Sequence, residues 1–119
     1  MREFSRADRL SSQIARELSE MLLNNAFIPP NTIISITEVE LSKDLRYGKI
    51  YYSAYGDDQA RARAENFFKK RHKQIRMELA GKIHVRFVPE LKFIFDPSME
   101  RGQRINELLD RIKKDDQQS

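Results

Sequence analysis

Residues 33–55 read IISITEVELSKDLRYGKIYYSAY, and this stretch decides the fold because it predicts two strands joined by a turn. Residues 33–41 are rich in β-branched side chains, and residues 47–55 alternate between two faces. Ser42-Lys43-Asp44 between them is typical of a turn, so we expect an antiparallel hairpin. The apolar alternation of the first strand changes phase near Thr37-Glu38, which indicates a β-bulge.

Helical spacing flanks the hairpin on both sides. Apolar residues recur at three- and four-residue intervals over residues 5–25, with Ser5 as a candidate N-cap. A second helical segment follows the hairpin and extends to about Lys82. Its apolar stripe consists of Ala60, Ala64, Phe67, Phe68, Ile75 and Leu79. Arg71 would lie in the middle of that stripe in a straight helix, so we predict a break near Arg71-His72-Lys73 that divides the segment into two helices.

The remainder predicts a third strand over residues 83–95 and a last helix that begins at Asp96 and runs to about residue 112. The order α-β-β-α-α-β-α predicts an α+β domain with helices over a three-stranded sheet, comprising residues 1–112 and followed by a polar tail at 113–119. The expected core consists of Leu10, Ile14, Leu18, Ile36, Phe67, Ile75, Phe87 and Phe93.

Composition excludes several classes of protein. The 119 residues contain no cysteine, so disulfides, thiolate zinc sites and a cysteine nucleophile are excluded. No stretch approaches the roughly 18 uninterrupted apolar residues of a membrane span, and the N-terminus lacks the apolar core of a signal peptide. We expect a cytoplasmic monomer that does not contact membranes.

Positive charge is concentrated in one segment. The net charge is +4, but residues 61–86 hold nine basic side chains against Glu65 and Glu78, a local excess of +7. Such a cluster on a helix can neutralise several phosphates of a nucleic acid, although many basic helix faces are merely solvated. The predicted RNA-binding residues are Lys69, Lys70, Arg71, Lys73, Arg76, Lys82 and Arg86.

Catalytic chemistry has little support in this sequence. His72 lies in the basic segment and His84 at a predicted strand start, and neither has a nucleophile–base arrangement around it. The acidic pair Asp57-Asp58 is typical of a helix N-terminus. The four glycines are too far apart to form a phosphate-binding loop. We therefore expect a binding domain that needs no metal or cofactor, and not an enzyme.

Several stretches, in their order and spacing, resemble the bacterial ribosome-binding factor A family over roughly residues 4–110. They include Arg16-Glu17-Leu18 in the first helix, residues 36–42 in the hairpin and, most specifically, residues 88–93, which read VPELKF. The resemblance continues through Asp96 to Glu100-Arg101-Gly102 and Arg104-Ile105. It implies a type II KH fold of order α-β-β-α-α-β, with the last helix as an extension.

The resemblance further implies a non-catalytic assembly factor. Such a factor binds 16S rRNA in the immature small (30S) ribosomal subunit, assists late maturation and processing of that RNA, and is released with the help of an assembly GTPase. The family's Ala-x-Gly kink between the second and third helices is absent, because Arg71-His72-Lys73 stands there. An alternative from a different class is a protein-interaction module whose basic helix docks an acidic protein partner.

Overall fold

Two helices and a three-stranded sheet make up residues 5–97, the part of the chain that the computed structural model describes. The elements are α1 (Arg6–Asn24), β1 (Thr32–Leu41), β2 (Tyr47–Gly56), α2 (Ala60–Ala80) and β3 (Glu90–Phe95). The predicted α+β class with its three-stranded sheet is confirmed. The predicted last helix and the tail at 113–119 lie outside the described residues, so the domain bounds of 1–112 stay a prediction.

The sheet has the order β1-β2-β3. β1 and β2 are antiparallel, and their register shifts between Ile36 and Glu38, which confirms both the hairpin and the bulge. β3 pairs with β2 in parallel, with Gly48 opposite Leu91 and Ile50 opposite Phe93. β3 is therefore an edge strand, and it is the edge beside which the candidate site lies.

Helix α1 begins at the predicted cap. The Ser5 hydroxyl accepts a hydrogen bond from the Asp8 backbone N–H, and the Asp8 carboxylate accepts one from the Ser5 N–H, both at 3.1 Å. This capping box satisfies two backbone donors that the first helical turn leaves without partners. The apolar stripe of α1 is buried at Leu10, Ile14 and Leu18.

The core forms where both helices cover one face of the sheet. The α2 stripe is buried as predicted, and it joins Ile50 and Tyr52 of β2 and Leu91 of β3 in one cluster with the apolar face of α1. Tyr52 is 2% exposed, and its ring lies 4.6 Å from that of Phe68. Burial of this aromatic pair fixes α2 across the sheet.

The predicted break in the second helical segment is wrong, because α2 continues without interruption through Arg71-His72-Lys73. Arg71 avoids the core by lying along the α1–β1 loop. Its guanidinium carbon Cζ lies 3.6 Å from the ring centroid of Phe27, and its Nη1 donates to the Gln74 side chain at 3.0 Å. A long side chain can thus occupy a position beside an apolar stripe while its charge stays solvated.

The predicted third strand begins too early. Residues 81–89 form a loop, and the strand starts only at Glu90, whose N–H donates to the Arg46 carbonyl at 2.8 Å. Phe87, expected in the core, is 77% exposed because it lies in this loop. Ile36 and Phe93 are half-buried and pack against the core rather than within it.

Candidate nucleic-acid interface

A groove of about 890 Å³ lies between α2 and the edge strand β3, and we call it the α2–β3 groove. Helix α2 forms one wall, because the residues flanking its buried stripe point toward β3. The edge strand forms the other wall. Four lysines border the groove, three from α2 and one from β3: Lys69, Lys70, Lys73 and Lys92.

The floor of the groove is aromatic. The Phe68 and Phe93 rings are stacked, with centroids 4.3 Å apart and planes inclined by 12°. Phe95 completes the floor, and the Arg61 guanidinium lies 4.1 Å above its ring centroid. The groove therefore combines flat apolar surfaces with a rim of ammonium groups, the pairing by which proteins hold bases and phosphates of single strands.

His72 ties the two walls together. Its Nε2–H donates to the Leu91 carbonyl at 2.7 Å, and its ring meets Phe93 edge-on at 5.9 Å between centroids. The Leu91 carbonyl belongs to an edge strand, so the histidine satisfies an acceptor that no neighbouring strand could pair. This contact gives His72 a structural role.

The lysines of the groove carry an excess of positive charge. All four are exposed, and none forms an ion pair within residues 5–97. Glu65 is the carboxylate that lines the groove. Its Oε1 lies 3.6 Å from the Nε of Arg61, so that cation partly neutralises its negative charge. Four ammonium groups against one partly compensated carboxylate attract a polyanion.

Only three of the seven predicted RNA-binding residues come together in this groove: Lys69, Lys70 and Lys73. Arg76 follows one turn later on the same flank of α2 as Lys69 and Lys73. There its Nη2 donates to the Val88 carbonyl at 2.9 Å and its Nε to the Pro89 carbonyl at 3.4 Å. Arg76 therefore holds the loop before β3 in place, and it does not project freely as the helical spacing suggested.

The other predicted residues lie elsewhere. Arg86 lies in a separate recess together with Arg76. Arg71 lies on the α1 side of α2, against Phe27. Lys82 borders a smaller recess on that side, which it shares with the acidic side chains Glu20 and Glu78. These acids reduce the positive potential around Lys82, so we expect it to matter less for binding an anion.

Sequence reasoning missed Lys92. Nothing local showed that β3 would bring it beside Lys69 and Lys73. The parallel register, which sets Lys49 of β2 opposite Lys92, determines that placement.

Neither a metal-binding cluster nor a membrane-spanning helix is found within residues 5–97. No group of three or more histidine or acidic side chains is placed to hold a metal ion there. In the same residues, no helix is long and apolar enough to cross a membrane.

Comparisons with known proteins agree with this architecture. A family model described as ribosome-binding factor A matches residues 6–109. The chain is 38% identical over 109 residues to the ribosome-binding factor A of Nitrosomonas europaea, which covers 92% of this chain and 93% of that protein.

Two sets of Thermus thermophilus coordinates share the fold. The crystal structure of ribosome-binding factor A from this organism has a TM-score of 0.61 at 24% identity, covering 75% of this chain and 93% of that one. A homology model of the Thermus thermophilus factor, fitted into the cryo-EM map of its complex with the 30S subunit, has a TM-score of 0.62. It is also 24% identical, over the same shares of the two chains.

Proposed function

The chain belongs to the ribosome-binding factor A family, and from this premise we propose that it binds 16S rRNA in the immature small (30S) ribosomal subunit and assists late maturation of that RNA. The Thermus thermophilus factor that was fitted into a 30S complex supports the choice of subunit. The protein acts by binding alone and is not a catalyst.

One observation carries the proposal for the site: Lys69, Lys73 and Lys92 converge from two elements on the rim of an aromatic groove. Each exposed ammonium that neutralises a phosphate releases a condensed counterion, which favours association. The aromatic floor accepts unpaired bases, which double-stranded RNA does not present. The α2–β3 groove thus fits a single-stranded or distorted segment of rRNA.

Assistance in maturation follows from selective binding. A protein shifts an RNA folding equilibrium only by the difference between its affinities for the two RNA conformations. The walls of the groove are held by the aromatic stack and by the His72 hydrogen bond, so the backbone positions from which its lysines extend are fixed relative to each other and favour one arrangement of the RNA. Binding stabilises that arrangement until the factor leaves.

The remaining partners belong to the same proposal. We infer that the protein acts as a cytoplasmic monomer, binds free small subunits and is released with the help of an assembly GTPase before translation. The RNA-binding surface has Lys69, Lys70 and Lys73 as its centre and Arg76 and Arg86 next to it. The other two predicted residues, Arg71 and Lys82, lie on the α1 side of α2 and contribute least.

The test is a paired charge reversal. We expect Lys69→Glu with Lys73→Glu to weaken binding to purified small subunits at least about tenfold, because two phosphate contacts become repulsive. The matched control is Arg9→Glu with Arg16→Glu, which reverses two exposed cations of α1 that lie outside the groove. Co-sedimentation with the subunits measures binding, and circular dichroism verifies that both variants fold.

The opposite pattern would refute the site. If the α1 control loses binding while the groove variant sediments normally, the groove is not the RNA face. Nuclease treatment of a lysate before sedimentation tests the partner itself. An RNA binder leaves the ribosomal fractions, whereas a protein that docks an acidic protein partner stays with that partner.

A further inference from the structure

The recess that contains Arg76 and Arg86 has a volume of about 430 Å³ and lies beyond the end of the α2–β3 groove. We call it the arginine recess. Four arginines from separate parts of the chain line it. Arg6 comes from α1, Arg46 from the turn between β1 and β2, Arg76 from α2, and Arg86 from the loop at residues 81–89. The fold thus gathers cations that are far apart in sequence.

The recess also presents an aromatic ring to solvent. Phe87 is 77% exposed, and the Arg86 guanidinium carbon lies 5.7 Å from its ring centroid. Tyr47, on the same recess, is 60% exposed. An exposed phenylalanine contributes little to the stability of the fold, because its apolar area stays in water. Its ring is therefore available to a ligand.

The charges of the recess do not cancel. Its two carboxylates are Asp44 and Glu90. Asp44 accepts hydrogen bonds from the Ser42 hydroxyl at 2.7 Å and the Arg46 N–H at 3.1 Å, and its carboxylate lies 4.0 Å from the Arg46 Nε. The hydrogen bonds of Arg76 go to neutral carbonyls, which leave its charge in place. Four guanidinium groups against two carboxylates leave an excess of positive charge.

We propose that the arginine recess binds an unpaired nucleotide of RNA, with its base stacked on Phe87 and the flanking phosphates held by Arg6, Arg46 and Arg86. Guanidinium groups donate in a planar fork that matches phosphate oxygens, and every base has a face that stacks on a phenyl ring. An acidic peptide would use the arginines but would leave the ring without a planar partner. Nucleotide binding accounts for both features.

The recess and the groove form one path for a strand. Arg76 follows Lys73 by one turn on the same flank of α2, and Glu90 of the recess precedes Leu91 of the groove in β3. The inference rests on the proposed function, since it extends the RNA from the groove into the recess. It adds a stacking contact at a residue that the groove does not contain.

The experiment compares short RNAs by fluorescence anisotropy. The probes are a labelled twelve-nucleotide oligouridylate and a labelled RNA duplex of the same length. We expect Phe87→Ala to weaken binding of the single strand about tenfold, as for the loss of one base–aromatic stack, and to leave duplex binding unchanged. Phe87→Tyr keeps an aromatic face and should restore single-strand affinity. Leu23→Ala, which alters another exposed apolar side chain (85% exposed), is the matched control.

The outcomes separate this inference from the proposed function. If Phe87→Ala binds the single strand as the wild type does, while the Lys69→Glu and Lys73→Glu pair does not bind, the recess has no stacking role and the groove still binds RNA. If both variants bind as the wild type does, the proposed function fails as well. A third measurement uses a polyglutamate peptide as competitor. If it competes equally well with the wild type and with Phe87→Ala, and more strongly than unlabelled oligouridylate does, the recess binds an acidic protein and the inference is overturned.

Discussion

Arg63 joins α2 to the start of β1 and to the end of the hairpin. Its Nε donates to the Thr32 hydroxyl at 2.9 Å, and its Nη2 donates to the Asn31 carbonyl at 3.1 Å and to the Asp57 carboxylate at 2.6 Å. Three segments are thereby joined by one guanidinium. The Arg63 hydrogen bond, and a second one from the Gln59 backbone N–H, lower the pKa of Asp57 from its ordinary value of 3.8.

The lowered pKa of Asp57 predicts how stability depends on pH. A carboxyl group whose pKa is lower in the folded state stabilises the fold above its ordinary pKa, and this contribution is lost as the pH falls through the folded value. We expect Asp57→Asn to lower the free energy of unfolding at pH 7, with the difference from the wild type shrinking below about pH 4. Urea denaturation across this pH range measures the difference in unfolding free energy between the two proteins.

The control for this prediction is the neighbouring residue. Asp58 is exposed and makes no hydrogen bond within residues 5–97. Asp58→Asn should therefore change stability less at pH 7. If the difference in unfolding free energy between the wild type and Asp57→Asn persists unchanged at pH 2, the asparagine disturbs the turn itself. The loss of stability would then not come from the charge of Asp57 beside Arg63.

Features of the helices and strands that depend on neighbouring residues could be predicted from the sequence. Features that depend on residues far away in the chain could not. The α1 cap and the bulge in β1 follow from residues within a few positions of each other, so the sequence alone indicates them. The Arg71 side chain packs against Phe27, which lies in a loop far earlier in the chain, so its place outside the core could not be read from the local sequence. The start of β3 depends on pairing with Arg46 and Tyr47, which is also non-local.

The same distinction applies to the site. The four-residue spacing of Lys69 and Lys73 places them on one flank of a helix, and the structure brings both to the groove. The spacing did not reveal the carbonyls that Arg76 binds, because they belong to the loop at residues 81–89. Nor did it reveal Lys92, which reaches the groove through the parallel register of β3.

Packing of α2 on the sheet predicts unequal costs for two aromatic truncations. Phe67 is 4% exposed, so Phe67→Ala should cost roughly 3–5 kcal/mol of unfolding free energy. Phe93 is half-buried on the groove floor, and Phe93→Ala should cost roughly half as much, since part of its ring area already contacts water. Urea denaturation measures both. Equal costs would contradict the placement of Phe93 at the rim of the core.

Truncation of Phe93 should affect binding as well as stability. Phe93→Ala removes from the groove floor the phenyl ring that stacks on Phe68. We therefore expect this variant to bind small subunits more weakly even at temperatures where it remains folded. Phe67→Ala removes a buried ring that packs edge-on against Phe68 but does not itself line the groove, and it serves as the control when binding is measured where both variants are folded.

At the scale of the whole molecule, the arrangement of charge matters more than its total. The net charge of +4 is modest, yet the α2–β3 groove and the arginine recess adjoin each other where Lys73 and Arg76 follow one another on one flank of α2. Elsewhere on α1 and the hairpin, acidic side chains are interspersed with the basic ones. A polyanion therefore encounters one attractive surface, which orients the protein as it binds.

This arrangement predicts the salt dependence of binding to small subunits. Each neutralised phosphate contributes about −0.7 to −0.9 to the slope of log K against log salt concentration, so the four groove lysines alone contribute about −3, and phosphates held in the arginine recess make the slope steeper. Lys69→Ala, Lys73→Ala and Lys92→Ala should each reduce its magnitude by about one unit at most. Arg9→Ala, outside both recesses, should leave the slope unchanged. A wild-type slope near zero would mean that phosphate contacts do not drive binding, because no other contact of the groove releases counterions.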